Sequence, residues 1–235
     1  RGIPPVRLRC TGITESDAQA LVEPAIAPYP DVEFTILAAP GDVEVVLFAD
    51  AQDTGSLDRA RHAAREALGD VCYSADGSSL AETVIGLARA GGVQLACAES
   101  CTGGLVAAAL TDVAGASDVF GGGVVAYADE AKLHLLHVPA ELLSAHGAVS
   151  EAVARAMAEG ALPVAGATLA VATTGIAGPG GATADKPVGL VWFAVARRGT
   201  ETLTTERCFR GDRERVRDQA TATALDLLRR ELQGV

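Results

Sequence analysis

Apolar positions along this chain of 235 residues alternate between two patterns. Short apolar runs near 5–10, 32–38, 43–49, 93–98, 120–127, 168–173, 188–196 and 202–208 predict strands. Between them, apolar residues spaced three or four apart predict helices over 15–28, 56–69, 79–91, 103–114, 129–137, 149–162 and 212–232. The closing helix is the best marked, with Val216, Ala220, Ala224, Leu227, Leu228 and Leu232 on one stripe. This order predicts a small α+β domain followed by a larger α/β domain, its central sheet flanked by helices. The polar stretch Ser74-Ala75-Asp76-Gly77-Ser78, with a helix cap at Ser78 or Ser79, divides the chain into 1–76 and 77–235.

Composition narrows the class. Hydrophobic residues make up 49% of the chain but aromatics only 4%, so alanine, valine and leucine must form the core, which suits close packing of helix on sheet. No apolar run approaches a membrane span and no signal peptide is visible, so a soluble, cytoplasmic chain is expected. The five cysteines are scattered and odd in number, against a disulfide framework. Cys97 and Cys101 with His134 and His137 give a histidine spacing too short for a zinc site, so neither metal nor other cofactor is expected.

The strand ending at Cys97 runs into Ala98-Glu99-Ser100-Cys101-Thr102-Gly103-Gly104 and then a helix. A sharp strand-to-helix turn exposes unpaired N–H groups and the positive end of the helix dipole. Ser100 there is a candidate nucleophile, and the N–H groups near Thr102, Gly103 and Gly104 are candidate oxyanion donors. Cys101 is the rival nucleophile. The histidines at 62, 134, 137 and 146 lie in unremarkable surroundings, so the base is sought among the lysines. Only two exist, Lys132 and Lys186, against seventeen arginines, and arginine cannot act as a base. Lys132 on its own reads rather as a solvated helix residue, since most lysines are solvated.

Five blocks occur in one order: Glu99-Ser100-Cys101-Thr102-Gly103-Gly104, Tyr127-Ala128-Asp129-Glu130-Ala131-Lys132, Gly147-Ala148-Val149-Ser150, Thr174-Gly175-Ile176-Ala177-Gly178-Pro179-Gly180-Gly181 and Lys186-Pro187-Val188-Gly189. Together they resemble the C-terminal domain of the CinA (competence/damage-inducible protein A) family, from about Ser78 to the C-terminus. Gly12-Ile13-Thr14-Glu15-Ser16 and Val71-Cys72-Tyr73 resemble the small KH-like domain that precedes it in that family.

The resemblance implies an amidohydrolase (PncC-type) that converts the carboxamide of nicotinamide mononucleotide to the acid and ammonia, with Ser100, Tyr127 and Lys132 as the catalytic set. Lys132 would draw the Ser100 proton directly or through the Tyr127 hydroxyl, and Glu130 would face solvent or cap its helix. Ala128 and Asp129 depart from the Ser-Asn pair more common in the family, which leaves any hydrogen bond from that pair in doubt. Beside the other blocks, Thr174, Gly175, Gly178 and Gly180 become candidates for shaping the substrate pocket, and Lys186 for reaching a phosphate.

At a net charge of −11, an anionic substrate needs a local positive patch. From Arg197 to Arg217 seven arginines face four acidic residues, and Arg210 and Arg213 at a strand-to-helix junction are candidate phosphate contacts. Surface salt bridging along that helix is the competing reading. The expected partner is a small pyridine nucleotide, with no membrane. A nucleic-acid-binding or non-catalytic regulatory module is the alternative. Against nucleic acid, residues 1–75 hold twelve acidic and six basic residues and no Gly-x-x-Gly. The KH-like segment reads as a spacer or dimerisation element in a homodimer or higher homo-oligomer. The chain opens at Arg1, so a longer protein is expected, carrying the family's N-terminal domain similar to molybdopterin-binding proteins.

Overall fold

The computed structural model describes residues 4–49 and 54–234. The chain divides into two compact units between Thr83 and Val84, each taken here by itself. The division falls within a helix and so lies later than the polar stretch at 74–78.

The first unit carries β1 (Val6–Cys10), α1 (Glu15–Ile26), β2 (Val32–Ala39), β3 (Asp42–Ala49), α2 (Thr54–Leu68) and β4 (Cys72–Ser74). Its sheet is antiparallel in the order β2-β3-β1-β4. Alternate residues Leu8 and Cys10, and Val43, Val45 and Leu47, bury one sheet face against Ala18, Val22 and Ile26 of α1 and Ala60, Ala64 and Leu68 of α2. Three-residue β4 went unpredicted because it is too short to show a period; its register pairs Cys72 with Cys10.

Helix α3 (Leu80–Gly91) begins with a capping box, in which the Ser79 N–H donates to the Glu82 carboxylate and the Glu82 N–H to the Ser79 hydroxyl. The second unit continues with β5 (Leu95–Glu99), α4 (Leu105–Thr111), β6 (Phe120–Val125), α5 (Asp129–Leu136), α6 (Ala140–His146), α7 (Glu151–Val164), β7 (Leu169–Gly175), β8 (Leu190–Arg197), β9 (Leu203–Cys208) and α8 (Arg213–Gln233). Helix α6 was not foreseen; its seven residues hold too few apolar positions to mark a face.

The five-stranded sheet runs β6-β5-β7-β8-β9, with β5, β6 and β7 parallel and the last two strands antiparallel. One face is paved with alanine: Ala96, Ala98, Ala170, Ala172, Ala194 and Ala196 pack beneath Ala154, Met157, Ala158 and Ala161 of α7. The opposite-facing Cys97, Val171, Phe193 and Val195 are also buried, as is the α8 stripe of Val216, Ala220, Ala224 and Leu228. Because both faces are covered, the central strands read as unbroken apolar runs. After β5 the chain passes through α4 to β6 on one side; after β6 it returns through α7 to β7 on the other. The carboxyl end of β5 is therefore a topological switch point, where open α/β sheets gather ligand-binding loops.

Candidate functional site

Ser100 is the first residue beyond β5. Its N–H donates to the Thr173 carbonyl at 2.9 Å, and the Thr102 and Thr173 hydroxyls share a hydrogen bond at 2.7 Å, which seats the turn on β7. Gly103 and Gly104 then take φ of +64° and +100°, left-handed values that reverse the chain into α4 and that side chains rarely adopt.

The start of α4 is not the open anion site that the sequence suggested. The Glu99 carboxylate, itself 1% exposed, accepts from the N–H groups of Gly104 at 2.9 Å, Val106 at 3.1 Å and Ala107 at 2.8 Å. The Gly103 N–H donates to the Ser100 carbonyl at 3.2 Å. The two glycine N–H groups expected to hold an oxyanion are thus engaged. The physical reason is that a helix start packed into the protein cannot leave its first N–H groups unpaired, and Gly104, as N-cap, has no side chain to offer. The signal was present in the sequence: a carboxylate ending an otherwise apolar strand, five residues before a helix.

On the other side of the turn lies a cavity of about 210 Å³ lined by Ser100, Cys101, Tyr127, Asp129, Lys132, Thr174, Gly175 and Arg213, with Ala148, Val149 and Ala177. It collects the carboxyl ends of all three parallel strands. Lys132, on α5, is 1% exposed, and its Nζ donates to the Tyr127 backbone carbonyl at 3.1 Å and faces Asp129 Oδ1 at 3.5 Å. Asp129 thus supplies a contact at one of the two positions where the chain departs from the family pattern. Glu130 is exposed.

Tyr127 has its side chain turned outward, 60% exposed, and its hydroxyl accepts from Arg213 Nη2 at 2.9 Å. Lys132 therefore meets this residue through its carbonyl, whereas the phenol of the expected relay is bonded to an arginine. The cause is local: Tyr127 lies between the end of β6 and the start of α5, where the carbonyl points inward to the buried ammonium.

Arg213, the first residue of α8, also donates to the Gly178 carbonyl at 2.9 Å. Both acceptors are neutral, and among the described residues no carboxylate pairs with it. Thr174 is buried and donates to the Ala148 carbonyl at 2.8 Å, fixing the segment before α7 against the cavity wall. Gly175 has no room for a Cβ, which would stand 2.6 Å from the Leu190 carbonyl oxygen. Gly178 contributes through its carbonyl, not through the cavity lining.

Three of the candidates lie elsewhere. Gly180 is exposed with nothing near it, Arg210 is exposed ahead of α8, and Lys186 reaches over to the His146 carbonyl at 2.6 Å. None of the three lines the cavity. Of the basic segment, Arg217 was counted in the positive patch without a role in the site; it donates to the carbonyls of Cys101 at 3.2 Å and Thr102 at 2.7 Å.

The two adjacent nucleophiles differ in their surroundings. Burial pushes the Cys101 thiol up to about 12, beyond what the nearby N–H groups of Cys101 and Thr102 offset, so it stays neutral at physiological pH. A thiol needs its anion to react well, whereas a serine needs a nearby base. A second cavity of about 690 Å³ opens between α6 and α7. Its charged groups Arg155, Glu151 and Glu159 are hydrogen-bonded to Thr202 or Thr204 and converge on no nucleophile. Among the described residues, no group of three or more histidine, cysteine or acidic residues is placed to hold a metal ion, and no helix is long and apolar enough to cross a membrane.

A mixed sheet with a serine and a buried lysine at the carboxyl ends of its parallel strands defines the class: an α/β unit with a built pocket at its switch point. The CinA C-terminal domain profile matches residues 77–232. A CinA-like protein of Acidobacterium capsulatum is 43% identical over 229 residues, 96% of this chain and 55% of its own length. One from Mycolicibacterium gilvum is 44% identical over 224 residues, 95% of this chain and 52% of its own. The crystal structure of the competence/damage inducible protein CihA from Agrobacterium tumefaciens is 45% identical, with a TM-score of 0.63 over 66% of this chain and 93% of that one. The chain belongs to the CinA family, and it spans about half the length of the curated relatives it matches.

Proposed function

We propose that this chain hydrolyses the carboxamide of nicotinamide mononucleotide to nicotinic acid mononucleotide and ammonia, with Ser100 as nucleophile and Lys132 as base. The observation that carries this reading is the convergence of Ser100, Tyr127 and Lys132, far apart in sequence, on one cavity of about 210 Å³. In the first step the Ser100 oxygen bonds to the amide carbon as Lys132 takes the hydroxyl proton. The ammonium so formed stands beside the developing oxyanion and offsets its charge. Collapse of the tetrahedral species expels ammonia, which carries away the proton from Lys132. Water, activated by the same amine, then releases the acid from the acyl-serine.

For this cycle the Lys132 amine must take up the Ser100 proton when substrate arrives, and it is held in place for this by the Tyr127 carbonyl. The cavity is small by the standard of ligand pockets, of the size for the ring end of the substrate, with ribose and phosphate outside it. Arg213 at the rim, a cation with only neutral acceptors, is the group suited to a phosphate. Tyr127, bonded to Arg213, would move with it when phosphate arrives. We propose likewise that the chain assembles into homodimers or higher homo-oligomers and is linked to an N-terminal domain similar to molybdopterin-binding proteins.

Incubation of the purified chain with nicotinamide mononucleotide, with ammonia and the acid measured together, tests the reading. Equimolar release of both supports it. Tight nucleotide binding with no ammonia would replace it with a non-catalytic binding module.

A further inference from the structure

We infer that Glu99 and Arg217 are positioning residues that hold the Ser100 nucleophile from opposite sides of its loop, an inference that rests on Ser100 being the reacting hydroxyl. The loop from Ser100 to Gly104 contains two left-handed glycines, so left to itself it would sample many conformations. Glu99 closes it on the donor side: its carboxylate reaches over the turn to the N–H groups of Gly104, Val106 and Ala107, forming a ring that contains Ser100. Arg217 closes it on the acceptor side, donating to the carbonyls of Cys101 and Thr102 from α8.

An anion thus stands at the donor ends of the loop's peptide groups and a cation at the acceptor ends. The two do not pair with each other; peptide dipoles satisfy each of them. A helix start needs only a neutral serine or asparagine as a cap. Burying a full carboxylate is unfavourable unless several strong hydrogen bonds compensate, so it is more than a cap requires. What this arrangement adds is stiffness on either side of the one residue whose side chain must meet substrate. A nucleophile displaced by about 1 Å can lose on the order of 100-fold in rate, so a brace at its neighbours acts on chemistry without touching substrate.

The test compares Glu99→Gln, Arg217→Met and Arg217→Lys with the parent chain. Two measurements are made: the rate at which a small activated aryl carbamate acylates Ser100 with loss of its phenol, followed by mass spectrometry, and kcat and KM for nicotinamide mononucleotide. Glu99→Gln and Arg217→Met should slow both acylation and kcat by roughly 10- to 100-fold, with KM nearly unchanged. Arg217→Lys, which keeps the charge and one hydrogen bond, should recover part of the loss. Wild-type acylation rates in the folded Glu99→Gln and Arg217→Met chains, whatever their melting temperatures, would overturn the inference. Acylation of the parent at Ser100 without ammonia release would refute the proposed substrate and leave the brace standing on the acylation rates. No acylation of the parent would remove both.

Discussion

The two sides of the Ser100–Gly104 turn are built from one short stretch of chain, yet they treat charge in opposite ways. Toward α4, three N–H groups close around a carboxylate that the chain itself provides, and no solvent reaches it. Toward the cavity, the Lys132 amine faces a carbonyl and the largely exposed Asp129, and Arg213 has only neutral acceptors. The first side is saturated and therefore structural. The second keeps in reserve an amine and an uncompensated guanidinium in the cavity that Ser100 lines, the groups that the proposed proton transfer and an anionic substrate require. A helix N-terminus alone does not make a binding site; whether the chain has already filled it decides.

The comparison is broken most severely by Ser100→Ala. It should lower ammonia release by at least ~10⁴-fold while nucleotide binding, read by calorimetry, stays near the parent value. Retained turnover would move the chemistry away from this turn. Lys132→Met should follow with a loss of roughly 10³-fold, within the range for a lost general base. Its stability should stay near or above the parent's, because methionine fills the space without a buried amine to keep from water.

Glu99→Leu should behave in the reverse manner. Removing that carboxylate leaves three N–H groups without their acceptor, that of Val106 buried and those of Gly104 and Ala107 partly so, and a stability loss of about 3 kcal/mol is expected in denaturant melts. If Glu99→Leu and Lys132→Met changed stability alike, the division into a filled side and a reserved side would fail. Arg213→Met sharpens the reserved side further: KM should rise about 10-fold with kcat within a factor of about three, as expected for a group that binds phosphate but not the reacting atoms. A fall in kcat alone would assign Arg213 to Tyr127 and the chemistry instead.

Much of this was legible before any coordinates. The alternation of short apolar runs with helical stripes gave the order of elements, because strands covered on both faces and helices with one buried stripe leave distinct periods. Ser100, Tyr127, Lys132, Thr174, Gly175 and Arg213 were all named and all line one cavity. The residues placed away from the cavity share a cause. Gly180, Lys186 and Arg210 were chosen for residue type within a loop or charged segment, and sequence does not reveal which way a loop residue turns. Gly103 and Gly104 were read as open donors because the preceding glutamate was given no role. Arg217 was given no role in the site because a helix stripe of mixed charge does not reveal a long side chain folding back onto carbonyls of another element.

The smallest expected effect concerns Cys101, which like Ser100 belongs to both sides, since it lies within the braced loop and also lines the cavity. Its thiol, pushed up to about 12 chiefly by burial, holds its proton across the working range. Between the unfolded value near about 8.5 and 12, the folded chain therefore binds the proton more tightly than the unfolded one. By linkage, its contribution to stability is complete below that window and declines as pH rises through it. Cys101→Ala should accordingly leave kcat at pH 7.5 within about twofold of the parent, and stability should fall less steeply above pH 9 than in the parent. Iodoacetamide should modify Cys101 slowly at pH 8 and faster as pH climbs, with no break near neutrality. An activity loss in Cys101→Ala as deep as that in Ser100→Ala would place the reacting atom one residue further along the turn, on the braced side.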